Sequence, residues 1–325
     1  MLSVIGTGMY LPKNLVTNED LFKKFGRDPL EKILGRIGHG ARYYSAADEC
    51  SSDLAVNAAT DAIKAAGIKP EDINLLIVAT DTPAQLSPAT SAEVQHRLGA
   101  KNAGTFDVNC ACAGFVTALD IAARYLDGKD YKTALVIGTY AMSKFLDPDD
   151  SAATPLFGDG AGAFVITAGS QSRDGFASSL KADGQFWDYM GIYGGGSRLP
   201  TTVKVLEEKK HTVKIPKKFP ATLNAEEWPP LVEKTLAKIG LTPKDVDMFI
   251  FTQIRKVTIV DVMAKFGLPM EKTHTIMEKW GYTGSGCIPM AFHDAVQQGK
   301  LKKGQRVVLC ASGGGYSMAC MTFIY

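Results

Sequence analysis

Short apolar runs alternate along the chain with longer segments whose apolar residues recur at helical spacing. Leu75-Leu76-Ile77-Val78 follows a helical pattern stopped at Gly67, and the stretch 66–78 returns as 239–251, where Met248-Phe249-Ile250-Phe251 is the apolar run. The offset is 173 residues, and it also pairs Leu135-Val136-Ile137-Gly138 with Val308-Leu309-Cys310-Ala311. It sets Cys112 opposite Ser285, each ahead of a further helical pattern. Every copy therefore predicts a helix with a glycine stop, a buried strand, a strand–turn–helix, and another apolar strand. Continuous apolar strands between helices predict an α/β protein with mostly parallel sheets covered by helices. Two such halves, 1–170 and 171–325, should pack about a pseudo-twofold axis, with the site where turns from both halves meet.

Composition narrows the function. The net charge is +2 with no long basic block, so neither nucleic acid nor an anionic membrane is an expected partner. No apolar run is long enough to span a bilayer, so membrane insertion is not expected. Met1 to Gly8 lacks a basic leader pattern and reads as a first strand entering a turn. The six cysteines form no CxxC pair, which favours a reducing, cytoplasmic setting. No His/Cys cluster has zinc spacing, so no metal is expected.

The chemistry concentrates in Asp107-Val108-Asn109-Cys110-Ala111-Cys112-Ala113-Gly114-Phe115, followed by the amphipathic run Val116 to Leu126. The pattern predicts strand, tight turn, cysteine, helix. Such a turn puts Cys112 at a helix N-terminus, where dipole and free N–H groups favour an anion. An ordinary thiol is only roughly 3% ionised at pH 7, so a lowered pKa would prepare Cys112 for covalent acyl transfer. A small buried hydrophobe is the plain alternative, and the local pattern leaves both open.

Other motifs carry weaker signals. The glycines of Phe157-Gly158-Asp159-Gly160-Ala161-Gly162-Ala163 precede a strand instead of a helix, so they predict a tight turn and not a dinucleotide fingerprint. Gly194-Gly195-Gly196-Ser197-Arg198 reads as a loop. Ser312-Gly313-Gly314-Gly315 follows an apolar strand, either as a simple hairpin turn or as backbone that approaches a ligand closely. None of His39, His96, His211, His274 and His293 sits in a catalytic motif.

With Cys112 in its turn, the internal duplication, Phe157 to Ala163 and the terminal glycines, the chain resembles the thiolase superfamily and, within it, beta-ketoacyl-acyl-carrier-protein synthase III. The similarity runs nearly end to end and is weakest at about 201–228. It implies a duplicated, five-layered αβαβα fold and a homodimer formed through about 104–110. It also implies that Cys112 takes an acyl group from a coenzyme A or phosphopantetheine thioester, which is substrate and not a permanent cofactor. The N–H groups of Cys112 and Gly315 would form the oxyanion hole.

Departures from the family pattern carry further expectations. The resemblance places the family histidine at Thr252 in Thr252-Gln253-Ile254-Arg255, and its asparagine at Tyr282 in Gly281-Tyr282-Thr283-Gly284; both remain catalytic candidates, since their hydroxyls can donate hydrogen bonds, but from other positions and with different reach. The family's histidine and asparagine normally hold a thioester carbonyl while malonyl decarboxylates, and losing one such donor typically costs on the order of 10²–10³ in rate. The resemblance with these changes implies an acyltransferase that passes the acyl group on without decarboxylation. A decarboxylating condensing enzyme is the alternative. A non-catalytic or regulatory subunit paired with a homologue is the third reading. The adenine-stacking positions of the family match Lys32 and Ser151. Lys209, Lys210, Lys217, Lys218, Arg255 and Lys256 would meet an acidic carrier protein, or simply be solvated. Asp81, at the position of a glutamate acid/base in the related HMG-CoA synthases, is a candidate replacement base or a turn residue. Cys310 lies three residues before the first terminal glycine and is not expected to act as a second thiolase cysteine.

Overall fold

A computed structural model describes residues 2–128, 130–169 and 175–325. The chain opens with β1 (Leu2–Tyr10), and a ribbon of β2 (Asn14–Thr17) and β3 (Ala41–Tyr44) brackets helices α1 (Asn18–Phe25) and α2 (Leu30–Ile37). There follow α3 (Ser51–Ala66), β4 (Leu75–Ala79), α4 (Thr90–Leu98), β5 (Gly104–Val108), α5 (Gly114–Asp127), β6 (Thr133–Tyr140) and β7 (Gly160–Ala168). The second half contains β8 (Ala177–Ala182), α6 (Val203–Glu207), α7 (Leu223–Ala237), β9 (Met248–Phe251), α8 (Lys256–Phe266), α9 (Met277–Trp280), α10 (Cys287–Gln297), β10 (Arg306–Ser312) and β11 (Ser317–Ile324). The expected division at 170/171 falls outside the described residues.

The strands form two large sheets in the orders β1-β7-β6-β4-β5 and β8-β11-β10-β9. Read side by side, β1, β7, β6 and β4 correspond to β8, β11, β10 and β9, so the 173-residue repeat is a structural duplication. One strand has no partner in the scheme. The residues equivalent to β5 form α9, and a lone bridge from Phe249 to Thr273 remains at that edge.

Both sheets are mixed, where mostly parallel sheets were expected. β4 runs parallel to β5 and β6, and β9 parallel to β10, but β7 and β11 return antiparallel to their neighbours. The β10–β11 connection spans only Gly313–Tyr316, far too short for the crossover that a parallel pair needs.

Five layers result. α3 covers the outer face of the first sheet, α5 and α10 fill the space between the sheets, and α7 and α8 cover the second sheet. The central helices are apolar on nearly every side, with Phe115, Val116, Ala118 and Leu119 of α5 beside Ile288, Met290 and Phe292 of α10. Their close fit depends on glycine. A Cβ at Gly162 of β7 would come within 2.8 Å of the Met290 backbone nitrogen. The turn before β7 is structural, as its glycine spacing predicts: Asp159 accepts from the Ser45 N–H at 2.8 Å and the Ser143 N–H at 2.9 Å.

Candidate active site

The edge strand β5 delivers the chain into a strained turn. Ala111 has φ +47°, a region a residue with a Cβ rarely occupies. The turn is held locally: the Ala111 N–H donates to Asn109 Oδ1 at 3.1 Å, and the Gly114 N–H to the Ala111 carbonyl at 2.8 Å. Ala113 caps α5 without a side-chain hydrogen bond among the described residues, and its N–H donates to the Cys110 carbonyl at 3.1 Å. Cys112 is 2% exposed and lies in the wall of a cleft of about 190 Å³.

The second half closes on this turn through its glycines. A Cβ on Gly313 would lie 2.5 Å from the Cys110 carbonyl oxygen and 2.8 Å from the Cys112 nitrogen. Gly313 and Gly314 line the cleft together with Cys112. Gly315, the expected oxyanion partner, is not among the lining residues. The Gly313 N–H bonds to the Ser317 carbonyl and the Tyr316 N–H to the Gly313 carbonyl, and within this reversal Gly315 takes φ +71°.

Tyr282 and Thr252, the expected replacements of the family asparagine and histidine, behave differently. Tyr282, 1% exposed, lines the cleft with Cys112, and its hydroxyl favours the Cys112 thiolate. Its ring packs 6.0 Å from that of Phe157, and its carbonyl accepts from the Gly158 N–H at 2.9 Å. Thr252 is buried with its hydroxyl committed elsewhere: it accepts from the Ser312 N–H at 2.9 Å and donates to the Ser312 carbonyl at 3.4 Å. It does not line the cleft and offers no donor there.

Electrostatics at the cysteine contradict the expectation of a resting thiolate. Burial pushes the Cys112 thiol well above its ordinary range, and the charge of Asp81 adds to this, while Tyr282 and the cysteine's own N–H pull the other way. Asp81 follows β4, half-buried, with Oδ1 sealed from solvent and without a hydrogen-bond partner among the described residues. Burial raises its carboxyl to about 6. Asp81 is not a lining residue, yet its field reaches Cys112 and Tyr140.

Lys32 lies on the exposed face of α2 and Ser151 in an exposed turn, neither in the cleft wall. Arg255 does line the cleft, with Nη1 donating to the Ala221 carbonyl at 3.2 Å. Burial and then the nearby charge of Arg36 lower its pKa, so Arg36 is a neighbour that sequence reading missed. The lysine stretch is partly neutralised within the chain: Lys209 pairs with Asp147 at 2.8 Å, Lys210 with Glu208 at 2.5 Å and Lys217 with Asp188 at 2.6 Å. None of the histidines lines the cleft. His39 bonds the Ile254 carbonyl at 3.1 Å, and burial holds it neutral with a pKa of about 4. His274 pairs with Asp294 and His293 with Thr7. Sequence reading also missed Asn224, in the first turn of α7, which lines the cleft beside Ser312 and Tyr316.

Two fused αβ halves, with a cysteine turn of the first meeting a glycine turn of the second, define a protein of the thiolase superfamily. The chain belongs to the 3-oxoacyl-[acyl-carrier-protein] synthase III family: residues 106–184 match that family and residues 236–325 its C-terminal part. It is 36% identical to the beta-ketoacyl-[acyl-carrier-protein] synthase III of Methylococcus capsulatus over 97% of this chain and 96% of that one. The corresponding protein of Paramagnetospirillum magneticum is 37% identical over 97% and 96%. The crystal structure of the synthase III from Aquifex aeolicus VF5 superposes with a TM-score of 0.89 at 31% identity, covering 100% of both chains.

Proposed function

We propose that this chain is an acyl-transferring enzyme of the condensing class, working through an acyl-Cys112 thioester and passing the acyl group on without decarboxylation. One observation carries the reading. Cys112 stands in the cleft wall with Tyr282, whose hydroxyl favours its thiolate, while Thr252 is tied to the Ser312 backbone. A nucleophile is thus available, but the donors that would hold a decarboxylating malonyl group are not.

In the first step the Cys112 sulfur bonds the thioester carbonyl carbon and the carbon–sulfur bond of the donor breaks. The thiol proton passes to the Asp81 carboxylate, whose raised pKa makes it a competent acceptor, and is restored to the departing thiolate. N–H groups of the glycine turn and of α5 favour the transient oxyanion. In the second step an oxygen, nitrogen or already activated carbon nucleophile attacks the acyl-enzyme. The donor is a coenzyme A or carrier-protein thioester, its phosphates met by Arg255 and Arg36. The decarboxylating alternative is favoured by the names of the relatives and would require Tyr282 to serve as the carbonyl donor.

The test is intact mass after incubation with acyl-CoA and acyl-carrier-protein panels, followed by radiolabelled carbon dioxide release from malonyl thioesters. An adduct lost in Cys112→Ala, without carbon dioxide release, is expected. Release at rates ordinary for condensing enzymes overturns the non-decarboxylative reading. Absence of any adduct overturns the enzyme reading in favour of a non-catalytic subunit.

A further inference from the structure

Asn224 brings an amide into the cleft near the position left empty of the family histidine. Its Oδ1 accepts two hydrogen bonds, from the Ser312 hydroxyl at 3.1 Å and from the Tyr316 hydroxyl at 3.2 Å. A carbonyl oxygen has two lone pairs, so both are taken and the orientation of the amide is fixed. The Nδ2 group therefore points the other way. It makes no hydrogen bond among the described residues and is not sealed from solvent.

The supporting groups are themselves rigid. Ser312 ends β10, and its N–H donates to Thr252 Oγ1 at 2.9 Å, so Asn224 stands one side chain away from the vacated histidine position. Tyr316 sits at φ +58°, an uncommon conformation for a bulky residue, and its ring is wedged 5.3 Å from Phe186. Holding an aromatic residue there costs stability, and the conformation aims the hydroxyl at Asn224. Asn224, Ser312, Tyr316 and Cys112 all line the same cleft.

We propose that Asn224 is the carbonyl-binding donor of this site: its Nδ2 hydrogen-bonds the carbonyl oxygen of a thioester bound in the cleft, with Ser312 and Tyr316 as positioning residues. This rests on the reading that the cleft takes thioesters. The substrate carbonyl is met from the α7 side and not from the ends of β9 and α9. A neutral amide suits the carbonyl oxygen of a thioester, because it donates without titrating.

The experiment separates this from the enzyme reading by using unreactive probes. Acetonyl-CoA keeps a carbonyl near the sulfur, and S-propyl-CoA lacks one. Calorimetric titration of the wild type should show roughly tenfold tighter binding of acetonyl-CoA, the worth of one hydrogen bond to a buried carbonyl. Asn224→Ala should abolish that preference while S-propyl-CoA binding, which also reports folding, stays within twofold. Ser312→Ala and Tyr316→Phe should each reduce the preference by freeing the amide to rotate. A preference unchanged in Asn224→Ala overturns the proposal, as does no preference, or no binding of either probe, in the wild type. Acylation of Cys112, read separately by mass, is not required for any of these outcomes.

Discussion

The Tyr282 hydroxyl favours the thiolate of Cys112, joining a residue of the second half to the cysteine turn of the first. This influence opposes the burial that makes the thiol hard to ionise. Tyr282→Phe should therefore raise the pH midpoint of Cys112 alkylation further. A charge-assisted hydrogen bond is worth about 1.5–3 kcal/mol, so the iodoacetamide rate at pH 8 should fall on the order of tenfold or more. An unchanged pH profile would show that the hydroxyl does not serve the thiolate.

Asp81 couples stability to pH. A carboxyl raised to about 6 holds its proton more tightly in the folded state than in the unfolded chain, where its pKa is about 3.9. The stability it permits is fully present below pH 4 and is lost as pH rises to about 6. Asp81→Asn should thus stabilise the protein at pH 7–8 by up to about 3 kcal/mol and leave it unchanged at pH 4. The same variant should slow acylation of Cys112 on the order of 10². Denaturant titrations at both pH values and intact-mass kinetics check the two halves of this expectation.

Restoring the family pair should be asymmetric. Tyr282→Asn removes a bulky side chain from the cleft wall and should widen it. Thr252→His deletes the hydroxyl that anchors the Ser312 N–H, a buried hydrogen bond worth about 1 kcal/mol, and so loosens the glycine turn. Carbon dioxide release from malonyl-CoA should rise in the double variant, and less or not at all in Thr252→His alone. Equal release by the wild type and the double variant would show that these two residues do not limit decarboxylation.

β5 is the edge of the first sheet and leads directly into the cysteine turn. An unpaired edge of this kind invites a second copy to continue the sheet. Light scattering at micromolar concentration should give a dimer, and Thr105→Pro, which removes a ladder donor at the strand centre, should shift it toward monomer. A strictly monomeric wild type would refute this assembly.

Much of this architecture was legible because duplication leaves a signature in spacing. The 173-residue offset correctly paired β4 with β9 and β6 with β10, and matched Cys112 to Ser285, each two residues before its helix. The sheet direction was misread because apolar runs report burial, not strand polarity. Gly313 and Gly314 could not be told from Gly315 by sequence, since their difference lies in a backbone reversal. Thr252 read as a possible donor because its hydroxyl type is visible in the sequence while its partner, the Ser312 backbone, is not. Asn224 was missed for a related reason: it falls where similarity is weakest, and a single Asn in a helical pattern gives no sign of the two hydroxyls that orient it.

Gly313 bears on the nucleophile turn so closely that no side chain fits between them. Cys112 is made early in synthesis, and the backbone that shapes its surroundings some two hundred residues later. A nascent chain therefore carries Cys112 without its cleft, whose remaining wall comes from residues 190–316. The site comes into being only when β10 and the turn after it dock on the first half, so it is among the last features of the molecule to be completed.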